Sequence, residues 1–294
     1  MTEQPDIAQQ RRGIAAGIAC YVLWGTFPLY WKLLDSVSPL EVIAHRIIWC
    51  FATTVLVCAV ARLDLPGLLR QPRAWKFLVP AALFITLNWS VYIYAVDIDH
   101  VVETAIGYYI NPLVSILLGV VVFRERLSRV RVAALALCAV GVVFFTVNYG
   151  QFPWIALVLA FSFGIYGALK KAAGYPATTA LAFESTVMVV PSIVFAVVLA
   201  NVTGEHTFGS DPALTALLVL AGPATAIPLI LFARAANAIP LSLLGFIQYL
   251  SPTIALLTGV FLFGEPFTVA HAVCLGCIWA GLALVTFETL RRPR

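Results

Sequence analysis

Apolar residues run along this chain in blocks of about twenty, parted by short polar breaks. A membrane-spanning helix needs about 20 mainly apolar residues, because it rises about 1.5 Å per residue across a hydrocarbon layer about 30 Å thick. Ten segments meet or approach that length: 13–34, 39–61, 74–96, 101–123, 129–147, 153–170, 178–200, 212–235, 239–263 and 268–290. None shows the ten-residue alternation of a membrane β-barrel strand. Apart from those in the first two positions of a segment, seven prolines fall inside these segments, at 28, 80, 112, 191, 223, 228 and 252. Membrane helices tolerate them because neighbouring helices re-satisfy the freed backbone groups. The pattern predicts an all-α polytopic membrane protein with ten transmembrane helices.

One phrase occurs twice. "YINPLVSILLGVVVFRE" (109–125) returns as "YLSPTIALLTGVFLFGE" (249–265), with seven of 17 aligned positions identical, among them Tyr109/Tyr249, Pro112/Pro252, Gly119/Gly259 and Glu125/Glu265. The first copy ends the fourth predicted span and the second ends the ninth, so each repeat holds five spans. An odd number turns the second repeat upside down in the membrane. "WGTFPLYWK" (24–32) likewise lies over "FGIYGALKK" (163–171), and Gly141 over Gly281. The expected organisation is an N-terminal tail (1–12), a first repeat (13–147), a second, inverted repeat (148–290) and a short C-terminal tail (291–294). Inverted repeats put a binding site near the midplane, between the halves, where it can open to each side in turn.

Composition and charge sharpen this. The chain is 62% hydrophobic and 11% charged, against about 45–50% and about 25% for soluble domains. Its formal charge of +4 forms no continuous basic patch, which excludes a nucleic-acid partner and makes the lipid bilayer the expected one. With the N-terminus placed inside, sixteen of the eighteen lysines and arginines fall in inner regions, leaving only Lys32 outside and Arg46 within a span. The positive-inside rule therefore predicts cytoplasmic termini. The first run is longer than a signal-peptide core and has no small-residue cleavage site, so it is expected to remain as a span. All six cysteines lie inside apolar runs, so Cys274-Leu-Gly-Cys277 reads as packing rather than as a metal or redox motif.

These stretches resemble the drug/metabolite transporter superfamily, within it the EamA-like group, and most closely RarD-type proteins. The resemblance covers about residues 13–290 and is carried by "YVLWGTFPLYWKLL" (21–34), "EVIAHRIIW" (41–49), "LNWSVYIYAV" (87–96), "IGYYINPLVSILLGVVVFRERL" (106–127), "WIALVLAFSFGIYGALKK" (154–171) and "LLGFIQYLSPTIALLTGVFLFGE" (243–265). It implies ten spans in two inverted repeats and a multi-pass permease of the inner (cell) membrane. It implies no particular substrate.

Candidate site residues follow from the cost of polarity in lipid. Arg46 in the second span and Glu184 in the seventh are expected to face a central cavity from the two halves and to pair in one state. His45, on whose repeat position Glu184 falls, has an ordinary pKa near neutrality. His45 and Glu184 are therefore the candidates for proton coupling. In the third span Asn88, Trp89 and Tyr92 lie close together, and Asn88 is too deep for an interfacial belt. Tyr108, Tyr109 and Asn111 in the fourth span, and Gln248 and Tyr249 in the ninth, flank Pro112 and Pro252, each of which frees a carbonyl one turn upstream. Trp24 is a candidate wall residue. Lys32 and Lys171 are expected to snorkel to the headgroups, His271 to be interfacial, and Glu125 and Glu265 to be structural, bonding nearby backbone or capping the following helix.

The leading reading is a secondary active transporter, an exporter of a small metabolite or drug, without catalytic residues, cofactor or metal, acting as a monomer or homodimer. No GxxxxGK[ST] motif is present for direct use of ATP. A channel, a lipid scramblase or a lipid-modifying enzyme are the alternatives. Only "DIDH" (97–100) approaches a catalytic cluster.

Overall fold

The computed structural model describes residues 7–291 except 99, 204–206, 263, 265 and 266. Among the described residues, ten helices are long and apolar enough to cross a membrane. In chain order the helices are α1 (Ile7–Trp31), α2 (Pro39–Val60), α3 (Leu65–Leu69), α4 (Pro72–Asp97), α5 (Val101–Val121), α6 (Arg129–Tyr149), α7 (Trp154–Ala173), α8 (Ala177–Thr203), α9 (Pro212–Ala238), α10 (Leu241–Gln248), α11 (Leu250–Leu262) and α12 (Val269–Arg291). The short α3 links two spans, and α10 with α11 makes the ninth. Every predicted span is present. The first helix begins at Ile7, so Arg11 and Arg12 are helical rather than part of a tail.

The ninth span breaks at Tyr249. Pro252 cannot donate to the carbonyl of Gln248 four residues earlier, and its ring crowds that carbonyl. Pro112, its repeat mate, leaves α5 continuous.

Both described ends lie on one side of the bundle, here termed the terminal face; the other is the opposite face. The packing obeys the repeat. Helix α2 packs on α8, and α6 on α12; each is a pairing of a span with its own mate. Helix α5 packs on α7 as α11 packs on α1, and α4 on α7 as α9 on α1. Most of the bundle is thus held by contacts between repeats.

Glycines make the matching crossings possible. A Cβ on Gly25 would lie 2.7 Å from Ile254 Cβ, and one on Gly164 would lie 2.7 Å from Val114 Cγ1. Gly25 and Gly164 are repeat mates, and so are Ile254 and Val114. Where α6 crosses α12, Gly141 faces Cys274 and Cys277 while Gly281 faces Ala134 and Cys138. The Cys-x-x-Cys pair therefore serves close helix packing, with both thiols free.

One expectation about helix ends is corrected and another is made specific. Lys171 does not snorkel: it is partly buried and donates to the carbonyls of Ala236 (3.1 Å) and Ile239 (2.6 Å) at the end of α9. Lys32, its repeat mate, is 62% exposed and pairs with Asp35 at 2.9 Å. Of the two structural roles expected of Glu125 the structure shows backbone bonding, while Ser128 caps the helix that follows, accepting from Arg131 N–H. The Glu125 carboxylate instead accepts the N–H groups of Leu241 (2.6 Å) and Ser242 (2.8 Å), capping α10 of the other repeat. Glu265 lies outside the described residues.

Candidate functional site

A cavity of about 180 Å³ lies between the two repeats. Its walls come from α1, α2, α4, α5, α7, α9, α10 and α11. Of the sequence-predicted residues it gathers Trp24, Arg46, Asn88, Trp89, Tyr92, Tyr108, Asn111 and Gln248.

Five pairs of repeat mates line it together: Trp24/Phe163, Ile85/Thr225, Trp89/Leu229, Tyr108/Gln248 and Asn111/Ser251. The cavity therefore straddles the axis relating the halves. The symmetry of position is not one of chemistry, since an amide faces a phenol and a threonine faces an isoleucine.

Four further wall residues, Phe27, Trp31, Arg46 and Tyr92, carry the cavity toward the opposite face. Their repeat mates are Tyr166, Lys170, Ser185 and Phe232, none of which lines it. On the terminal side these mates are packed shut. Tyr166 stacks on Phe232 with ring centroids 5.6 Å apart, and Lys170 bonds Glu184 at 2.6 Å with both side chains at most 3% exposed. Equivalent residues are thus apart around space on one side and closed on the other.

Arg46 is held on three sides. Its guanidinium carbon lies 4.6 Å from the ring centroids of both Trp31 and Trp89. Its Nε donates to Thr225 Oγ1 at 3.2 Å. Asn88 donates to Leu159 O (2.8 Å) and Ser162 Oγ (3.0 Å), tying α4 to α7. Gln248 accepts from Ser115 Oγ at 3.1 Å, and its amide NH₂ has no protein partner among the described residues.

Four predicted site residues lie elsewhere. Glu184 borders only a smaller space beside the cavity, near Cys50 and Trp89, and its carboxylate is held by Lys170 and by the Tyr166 hydroxyl at 3.4 Å. It forms no pair with Arg46 here. Inversion explains the separation. Arg46 sits about two helical turns from the opposite face and Glu184 about two turns from the terminal face, so each is on the order of 10 Å deep from its own side. Tyr109 and Tyr249 are buried on the far side of their helices, in a cluster with Cys138 and Cys274. There Tyr109 packs edge-on against Phe145 at 5.6 Å.

His45 is also outside the cavity lining. It accepts from Trp49 Nε1 at 3.2 Å and stacks on Phe208 at 4.6 Å, beside Glu41. Glu41 in turn accepts the N–H groups of Thr207 and Phe208, each at 2.9 Å. This group fastens α2 to the α8–α9 connection at the opposite face.

Sequence reasoning missed Trp31, Phe27, Phe163, Thr225 and Ser251 as wall residues, and Lys170 as the partner of Glu184. The repeat held the signal for two of them. Phe163 and Ser251 are the mates of the predicted Trp24 and Asn111.

Known proteins resemble this chain closely. The model of the EamA-like transporter family matches it twice, over residues 11–147 and 153–287. The "Uncharacterized transporter YojE" of Bacillus subtilis (strain 168) is 39% identical over 98% of this chain and 97% of its own length. "Protein RarD" of Streptomyces exfoliatus is 39% identical over 97% of this chain and 91% of its own. "Protein RarD" of Escherichia coli (strain K12) is 34% identical, covering 98% of both chains. A crystal structure 20% identical in sequence superposes with a TM-score of 0.75 over 95% of this chain and 99% of its own, a likeness of fold.

Proposed function

Since the chain belongs to the EamA-like transporter family, we propose that it is a secondary active transporter, exporting a small organic molecule across the cytoplasmic membrane by alternating access. Both termini are taken to be cytoplasmic, as the positive-inside rule predicts. The terminal face is then the cytoplasmic one, and the cavity opens outward.

One observation carries this reading. The residues that line the outward part of the cavity and those that close the cytoplasmic side are repeat mates. Exchanging the conformations of the two repeats would close the first set and open the second, moving access across the membrane around a fixed site. Lys171, locked on the end of α9, and its exposed mate Lys32 fit the same exchange.

Proton coupling is assigned to the Lys170–Glu184 pair, because protonating the carboxylate would release the lysine that closes the cytoplasmic side. His45, committed to Trp49 and Phe208, is assigned to fastening the outer loop.

The test is flux from liposomes loaded with a pool of labelled amino acids, aromatic carboxylates and chloramphenicol; the last is in the name of one relative, the "Chloramphenicol-sensitive protein RarD" of Pseudomonas aeruginosa. The expected result is saturable flux of at least one member, accelerated by an imposed pH gradient. Flux linear in concentration and indifferent to counter-substrate would indicate a channel. Saturable flux unmoved by a pH gradient would remove the proton assignment.

A further inference from the structure

The cavity is more selective than a general organic pocket, and the following rests on the transporter reading. Among the described residues that line it, Arg46 is the one charged side chain, and no carboxylate faces it. Buried Glu184, on the helix packed against that of Arg46, is committed to Lys170. An arginine in a largely apolar cavity with no counter-ion calls for an anion from the ligand.

Its geometry says which kind. Two indoles cover the guanidinium and Thr225 holds Nε, so its orientation is fixed. The two Nη groups have no hydrogen-bond partner among the described residues. They form a two-pronged edge of the shape that binds a carboxylate through two parallel bonds.

The neighbouring amides add donors. Gln248 offers its NH₂. The amide oxygen of Asn111 is shut away from solvent, so the NH₂ is the end a ligand can reach. The other walls are aromatic, with Trp24, Phe27 and Phe163 prominent. A cavity of about 150 Å³ takes one benzene ring, so 180 Å³ has room for a ring and a small head group.

We propose that the transported ligand is a small planar monocarboxylate anion, its carboxylate gripped by Arg46 and its ring or flat apolar body against Trp24, Phe27 and Phe163. A zwitterionic amino acid fits less well. Its ammonium would lie near the Arg46 guanidinium, and no carboxylate in the wall is there to pair with it.

The experiment is titration of the purified full-length protein, followed by tryptophan fluorescence, with benzoate, benzamide, benzylamine and phenylalanine. Benzoate is expected to bind saturably and at least about tenfold tighter than each of the others. Arg46→Gln should weaken benzoate about tenfold or more and leave benzamide unchanged. Thr225→Val, which keeps the charge but frees Nε, should weaken benzoate a few-fold; it carries the test if Arg46→Gln does not elute as a single folded species. Benzamide, benzylamine or phenylalanine binding as tightly as benzoate would overturn the inference. So would benzoate binding unchanged in the folded Arg46→Gln protein, or in Thr225→Val if that variant carries the test. Saturable flux of other pool members without benzoate binding would overturn the carboxylate and spare the transporter. Benzoate binding without flux of any pool member would do the reverse.

Discussion

Glu184→Gln is expected to destabilise the protein by about 3–5 kcal/mol, because it leaves the Lys170 ammonium buried without a counter-charge. The pair is 2.6 Å apart and its side chains are 2% and 3% exposed, so water cannot replace the lost partner at low cost. The loss should be largely reversed in a Lys170→Met/Glu184→Leu double variant, since apolar residues of similar volume need no partner. Thermal unfolding of wild type, the single variants Lys170→Met and Glu184→Leu and the double variant in one detergent measures this as a cycle, with Glu184→Gln beside it. A single variant within about 1 kcal/mol of wild type would mean that Lys170 reaches solvent and that this side is not sealed. The folded double variant then tests coupling. Its flux should no longer respond to a pH gradient.

Glu125→Ala should have the next largest effect, a loss of about 2–4 kcal/mol, as two charge-assisted hydrogen bonds disappear together. The Glu125 carboxylate caps an eight-residue helix, α10, whose first N–H groups have few other acceptors in lipid. It also stands 3.9 Å from Lys171, which holds the end of α9. Removing it loosens the α9–α10 corner, so the terminal face should open more often and become more reactive to membrane-impermeant labels there. Glu125→Gln retains one acceptor and should lose about half as much stability. Equal stability of Glu125→Ala and wild type would show that α10 is capped by other means.

Much of the architecture was legible because lipid imposes simple rules. Span length and the repeated phrase around Pro112 and Pro252 each act on the scale of a whole helix. The candidate site was legible in part. Deep polar residues such as Asn88, Asn111 and Gln248 stand out in an apolar helix, and the structure gathers them. The direction a side chain faces is harder to read, because spans of low amphipathicity give no clear inward stripe. Tyr109 and Tyr249, beside the kink-forming prolines, accordingly fell on the buried far side of their helices. Lys170 looked like one of two cations at a helix end. Only packing distinguishes Lys170, turned inward to Glu184, from Lys171, turned to the carbonyls of α9. The Arg46–Glu184 expectation placed both at the midplane. Inversion sets positions seven residues into mate helices at equal depths from opposite faces, and in this structure Glu184 is paired with Lys170 instead.

The exchange of the two repeats is the central claim, and paired spin labels test it most directly. One pair, at Lys32 and Tyr94, reports the opposite face; the other, at Arg73 and Arg234, reports the terminal face, and all four side chains are exposed. In lipid vesicles, with and without a transported ligand, the account predicts two distance populations for each pair and opposite responses, one pair closing as the other opens. A single fixed distance at both faces, or both faces opening together, would contradict it.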